Sequence, residues 1–109
     1  MRTLKFIVDN QMIKQDPDCD FDNLIPGTEG YLRAEFSFSP EWNGFKKIVA
    51  FYSALGNSYT PQLLADGKTC DIPFEALKRR TFKLQVLGER SGLKIRTNKL
   101  DINQNGDRL

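Results

Sequence analysis

From residue 31 to residue 38 the chain alternates strictly, with Leu32, Ala34, Phe36 and Phe38 separated by Arg33, Glu35 and Ser37. Successive side chains on a strand point to opposite faces, so this pattern specifies a strand with one face on a core and the other in water. Residues 81–87 repeat it, with Phe82, Leu84 and Val86 on one face. A chain built around such segments must bury one face of each against another layer of sheet.

The remaining strands are read from β-branched and aromatic runs bounded by turn residues. Residues 3–8 form the first, and Asp9-Asn10 turns the chain into the short apolar pair Met12-Ile13. Residues 47–53, 59–64, 69–72 and 93–102 supply the others, the last as one strand or a pair. Pro61 lacks a backbone donor, which assigns its segment to an edge or a bulge. Asp66-Gly67 is the favoured pair of a tight hairpin. Pro73, followed by Phe74-Glu75-Ala76-Leu77-Lys78, reads as one helical turn with Pro leading it. The whole predicts an all-β fold, a single β-sandwich or small barrel of about seven or eight antiparallel strands with one short helical turn. It is expected to form one domain over residues 1–103, followed by a flexible polar tail over 104–109.

Composition bounds the function. The 109 residues contain no histidine, which removes the commonest general base and the Ser-His-Asp and Cys-His arrangements. The eight glycines are scattered through turns and build no phosphate-binding loop. The sequence therefore predicts a protein that is not an enzyme. With 16 basic and 14 acidic residues the net charge is +2, too small to gather nucleic acid over the whole surface. No stretch approaches the roughly 18 apolar residues of a membrane span. Neither nucleic acid nor membrane is an expected partner. Cys19 and Cys70 show no metal or disulfide spacing and are read as free thiols.

Two constellations are candidate sites. Asp18, Asp20, Asp22 and Glu29 fall at positions one, three, five and twelve of a calcium-loop pattern, with Ile25 at the apolar eighth position and Asn23 where glycine usually turns the chain. The flanks oppose that reading: Pro17 precedes the loop, and a strand follows where a calcium-binding hand needs a helix. The expectation is no cofactor, with calcium as the alternative to a solvated acidic loop whose aspartates cap turns. Trp42, Tyr31, Tyr52 and Tyr59 could form an aromatic platform for a ligand; the competing reading places Trp42 as a plug at one end of the core.

The order of these motifs carries a resemblance. Phe36-Ser37-Phe38-Ser39-Pro40-Glu41-Trp42-Asn43-Gly44, with Lys46-Lys47-Ile48-Val49-Ala50-Phe51 after it, resembles a segment of small β-rich proteins from phages and prophages of Gram-positive bacteria. Residues 66–77, 82–88 and 92–98 resemble later pieces of the same group, and the likeness spans roughly residues 31–100. The resemblance implies a virion-associated module of fibre, baseplate or head-accessory type. Such a module acts by contact with other phage structural proteins, as a homo-oligomer, after synthesis in the host bacterial cytoplasm. The alternatives are an intracellular binder that inhibits a host protein, and a carbohydrate-binding module using Trp42.

Overall fold

Leu4, Phe6 and Val8 alternate with more exposed neighbours along β1 (Arg2–Asp9), and every second residue enters the interior. The computed structural model describes residues 1–106, over which nine strands form two facing sheets. In the first sheet β1 lies between β2 (Met12–Gln15) and β3 (Leu32–Phe38), with β6 (Thr69–Asp71) at the far edge. In the second, β4 (Lys46–Ser53) lies between the two-residue β5 (Gln62–Leu63) and the long β7 (Thr81–Arg90). The other edge of β7 carries both β8 (Leu93–Arg96), opposite residues 87–90, and β9 (Leu100–Asn103), opposite residues 81–84. Phe6, Phe36, Phe51 and Phe82 fill the space between the sheets, each removed from water. Burial of one such side chain contributes on the order of 1.5–3 kcal/mol.

The all-β, sandwich-like architecture is as the sequence predicts, with four differences. The pairing is not antiparallel throughout: β1 and β3 run parallel, in register from Arg2 opposite Leu32 to Val8 opposite Phe38. A parallel neighbour needs a long connection back to the same end of the sheet, and β2 with residues 16–31 provides it. The strands number nine, because the short apolar pair Met12-Ile13 belongs to a full strand, β2, beside the split of residues 93–102 into β8 and β9 around Thr97, Asn98 and Lys99. Asp66-Gly67 does not close a hairpin; it carries the chain from β5 in one sheet to β6 in the other. There the Asp66 carboxylate accepts the amides of Lys68 at 2.9 Å and Thr69 at 2.7 Å, which turns the backbone out of its sheet.

The fourth difference concerns the polar tail. Gln104 is fully buried, and its side-chain amide donates to the carbonyls of Leu77 at 2.9 Å and Arg79 at 2.6 Å. Leu77 is the last residue of the short helix α1 (Phe74–Leu77), whose final carbonyls find no partner within the helix, and Arg79 lies just beyond it; the Leu77 carbonyl also accepts the Gly27 amide. The Gly106 amide donates to the Leu24 carbonyl, and a Cβ at Gly106 would fall 2.6 Å from Ile25. The tail expected over 104–109 is thus packed through 106, and its residues 107–109 lie outside the described residues. An isolated polar sequence reads as frayed because these partners are distant in the chain.

One side of the sandwich is stitched. Asn98 leaves the second sheet between β8 and β9; its side-chain oxygen accepts the Ile13 amide at 2.8 Å, and its own amide donates to the Gln11 carbonyl at 3.2 Å. The outer edge of β2 is thereby satisfied from across the core instead of by a further strand.

Candidate functional site

Trp42 ends the 3-10 turn Pro40–Trp42 and is 0% exposed. Its ring lies 5.3 Å from that of Phe38 and 6.2 Å from that of Phe45, and its indole N–H donates to the Asn10 carbonyl. The tryptophan therefore plugs the core and presents no face to a ligand, which corrects the platform reading. The tyrosines do not assemble either. Tyr31 borders a shallow hollow with Arg2 and Ile25. Tyr59 packs against the core beside β4, where its amide donates to the Phe51 carbonyl. Tyr52 stands on the outside of the second sheet. The strand order distributes the three tyrosines to three separate places.

The acidic loop works as local structure. The Asp16 and Asp20 carboxylates accept the amides of Asp18 and Asp22 at 2.9 and 2.8 Å, closing two side-chain turns. Asn23 adopts the left-handed backbone expected of it, with φ of 59°. Arg2 reaches from β1 to the carbonyls of Asp20 and Asp22, and the Lys5 amide donates to the Cys19 sulfur, so the loop covers the part of β1 that β2 does not reach. Asp18, Asp20, Asp22 and Glu29 are exposed, and among the described residues no three His, Cys, Asp or Glu side chains are grouped to hold a metal ion. Cys19 and Cys70 are both free, as the spacing predicts.

The two outer sheet faces differ in kind. On the first sheet, cross-strand neighbours are charged and matched: Lys5 opposes Glu35, and Arg33 opposes Asp71, with an ion contact of 3.4 Å in the second pair. That is a solvated face. On the second sheet, Leu63, Ile48 and Leu87 stand side by side across β5, β4 and β7, with Ala50 and Tyr52 in the next outward positions of β4. Leu63 is 52% exposed. Around this apolar centre lie Lys46, Lys83, Lys94, Arg96 and Lys99, against the acids Glu89 and Asp101.

Tyr52 is fixed on that face. Its hydroxyl donates to the Gln85 side-chain oxygen at 3.1 Å, Gln85 donates to the Thr97 carbonyl at 2.7 Å, and the Lys99 ammonium sits 4.2 Å from the tyrosine ring centre. Beside it a groove of about 260 Å³ runs between Lys46, Ile48, Leu87, Glu89, Lys94 and Arg96. A broader cleft of about 410 Å³ at the end of β4 is bordered by Leu55, Tyr59, Arg79 and Arg80; among the described residues no carboxylate lines it. Lys83, Lys94, Arg96 and Lys99 face outward on this sheet. The apolar centre is not among the sites expected from sequence, because Ile48 and Leu87 stand in apolar runs and read as core. The available signal is that 48–52 is apolar without alternation, the mark of a strand wanting cover on both faces.

Compared with protein-family models, curated proteins and solved structures, the chain matches none. Among the described residues no helix is long and apolar enough to cross a membrane.

Proposed function

We propose that this chain is a non-enzymatic module of a phage particle that works by protein contact, through the outer face of its second sheet. The observation that carries the contact reading is the row of exposed Leu63 and half-buried Ile48 and Leu87, side by side on one outer face, where the other outer face sets Lys5 against Glu35 and Arg33 against Asp71. Apolar surface gathered in one place and rimmed by polar residues is a feature of contact sites, unlike apolar residues scattered singly. The phage setting rests on the sequence likeness over residues 31–100, and repeated use in a particle accords with that setting. The host-protein inhibitor uses the same face with a different partner. The carbohydrate reading loses its support, since Trp42 lies in the core.

The test is mass spectrometry of particles induced from the source genome, with the parent chain and the variant Leu87→Glu expressed in parallel. The parent is expected at a fixed ratio to capsid or tail protein. The variant is expected to stay outside particles while melting close to the parent. A parent abundant in infected cells but missing from particles would overturn the virion assignment in favour of the intracellular binder.

A further inference from the structure

We infer that the partner of the second sheet's outer face is a different protein that presents an aliphatic side chain flanked by acidic residues. This inference rests on the contact reading of that face and adds the chemistry of what it receives. Two adjacent cross-strand rows define the seat. One row is Leu63, Ile48, Leu87 and Arg96; the other is Lys46, Glu89 and Lys94. The groove of about 260 Å³ lies over both, so an aliphatic group resting on Ile48 and Leu87 is within reach of cations on either side.

Lys46 and Lys94 share a single cross-strand acid, Glu89, and Arg96 stands opposite the apolar Leu87, so the seat carries a surplus of cations. Among the described residues the ion pairs are Arg33 with Asp71 and Lys83 with Asp101, and neither Lys46, Lys94 nor Arg96 enters one. Charge arranged around an apolar centre selects a partner with the opposite arrangement, and it sets association rate and specificity more than affinity.

The same geometry excludes two other occupants. A twofold contact between copies of this face would bring together two seats that each hold three cations, Lys46, Lys94 and Arg96, against one acid, Glu89, and surfaces of like net charge oppose binding. Single-stranded nucleic acid binds basic grooves by stacking bases on aromatic rings. Here the centre is aliphatic, and the one aromatic ring, Tyr52, already lies under Lys99 with its hydroxyl held by Gln85.

The experiment records amide chemical shifts of the full chain at low salt, titrated with the capped peptide Asp-Glu-Leu-Glu-Ile-Asp. Its controls are one peptide with Ser replacing Leu and Ile, one with Lys replacing every acid, and a twelve-nucleotide oligothymidine. Shifts are expected at Lys46, Ile48, Leu87, Lys94 and Arg96. Both control peptides are expected to bind at least about tenfold more weakly, a difference of about 1.4 kcal/mol. Salt raised to about 150 mM is expected to weaken the first peptide markedly. Equal binding by the basic peptide, shifts centred elsewhere, or oligothymidine binding as tightly as the acidic peptide would each overturn the inference.

Particle incorporation separates this failure from failure of the contact reading. Loss of incorporation in both Leu87→Glu and the pair Lys94→Glu, Arg96→Glu supports the inference. Loss in the first with full incorporation of the second removes it and keeps the contact reading. Indifference to both removes the contact reading itself.

Discussion

The indole N–H of Trp42 donates to the main-chain carbonyl of Asn10 at 2.7 Å, tying the turn of the first hairpin to the segment that leads into the second sheet. Asn10 is held there in the left-handed region, with φ of 54°. Trp42→Phe leaves a partly buried carbonyl without its donor and is expected to cost about 1–3 kcal/mol. Trp42→Ala also opens a large cavity and is expected to cost about 3–5 kcal/mol. Urea unfolding of the three proteins checks both values, and unchanged stability in Trp42→Ala would show that the ring does not fill the core.

Gly88 lies on the inner face of β7 directly against that ring. A Cβ placed there would be 2.8 Å from the tryptophan and 3.0 Å from Ile95. Gly88→Ala is therefore expected to destabilise by about 1–3 kcal/mol through overpacking. Combined with Trp42→Phe the cost of the alanine should shrink, since the smaller ring gives it room. A double-mutant cycle measures this coupling, and strict additivity would mean that the two sites do not touch.

Acid should weaken the link between the sheets. The Thr69 hydroxyl, followed by the amides of Lys68 and Thr69, holds the Asp66 carboxyl down from 3.8 to about 2. A carboxyl depressed in the folded state stabilises it above its unfolded value, and that contribution disappears as pH falls through the folded value. Melting temperature is expected to drop between pH 4 and pH 2, and to drop less in Asp66→Asn. Parallel curves for the two proteins would show that Asp66 is not the group responsible.

Base acts at Cys70. Burial first, and the neighbouring Asp71 second, push its thiol up from 9.0 to about 12. Its folded value is raised, so stability is fully present below about pH 9 and declines as pH climbs toward 12. Cys70→Ala should flatten that decline. At neutral pH a thiol reagent should label Cys19 well before Cys70, which reacts only when the domain opens. Peptide mapping after brief labelling gives the answer; prompt modification of Cys70 would mean that its site is open to solvent.

Much of the fold was legible in the sequence because alternation reports directly which face of a strand is covered. Leu32, Ala34 and Phe36 all point inward as their spacing requires, and Pro61 stands immediately before a two-residue edge strand. Pairing partners were less legible. Whether β1 meets β3 parallel or antiparallel depends on where residues 16–31 deliver the chain, and nothing local in either strand encodes it. The seam at Asn98 was hidden for the same reason, since its partners Gln11 and Ile13 belong to the other sheet. The candidate sites fared worst: an aromatic platform and a ligand loop are arrangements in space, and proximity in a sequence is poor evidence for them. The apolar row on the second sheet was masked because a residue awaiting a partner looks, in sequence, like one already inside.

The parallel pair of β1 and β3 also governs when the domain can exist. Only the β1–β2 and β7–β8 hairpins join strands that follow one another at a tight turn. The first sheet cannot be completed until residue 71 has been made, and the second waits for residue 103. A growing chain thus holds Leu4, Phe6 and Val8 uncovered through most of its synthesis. Refolding dominated by such distant pairings is expected on the millisecond-to-second scale, and the interval in which those side chains stand open is when the protein is most exposed to aggregation.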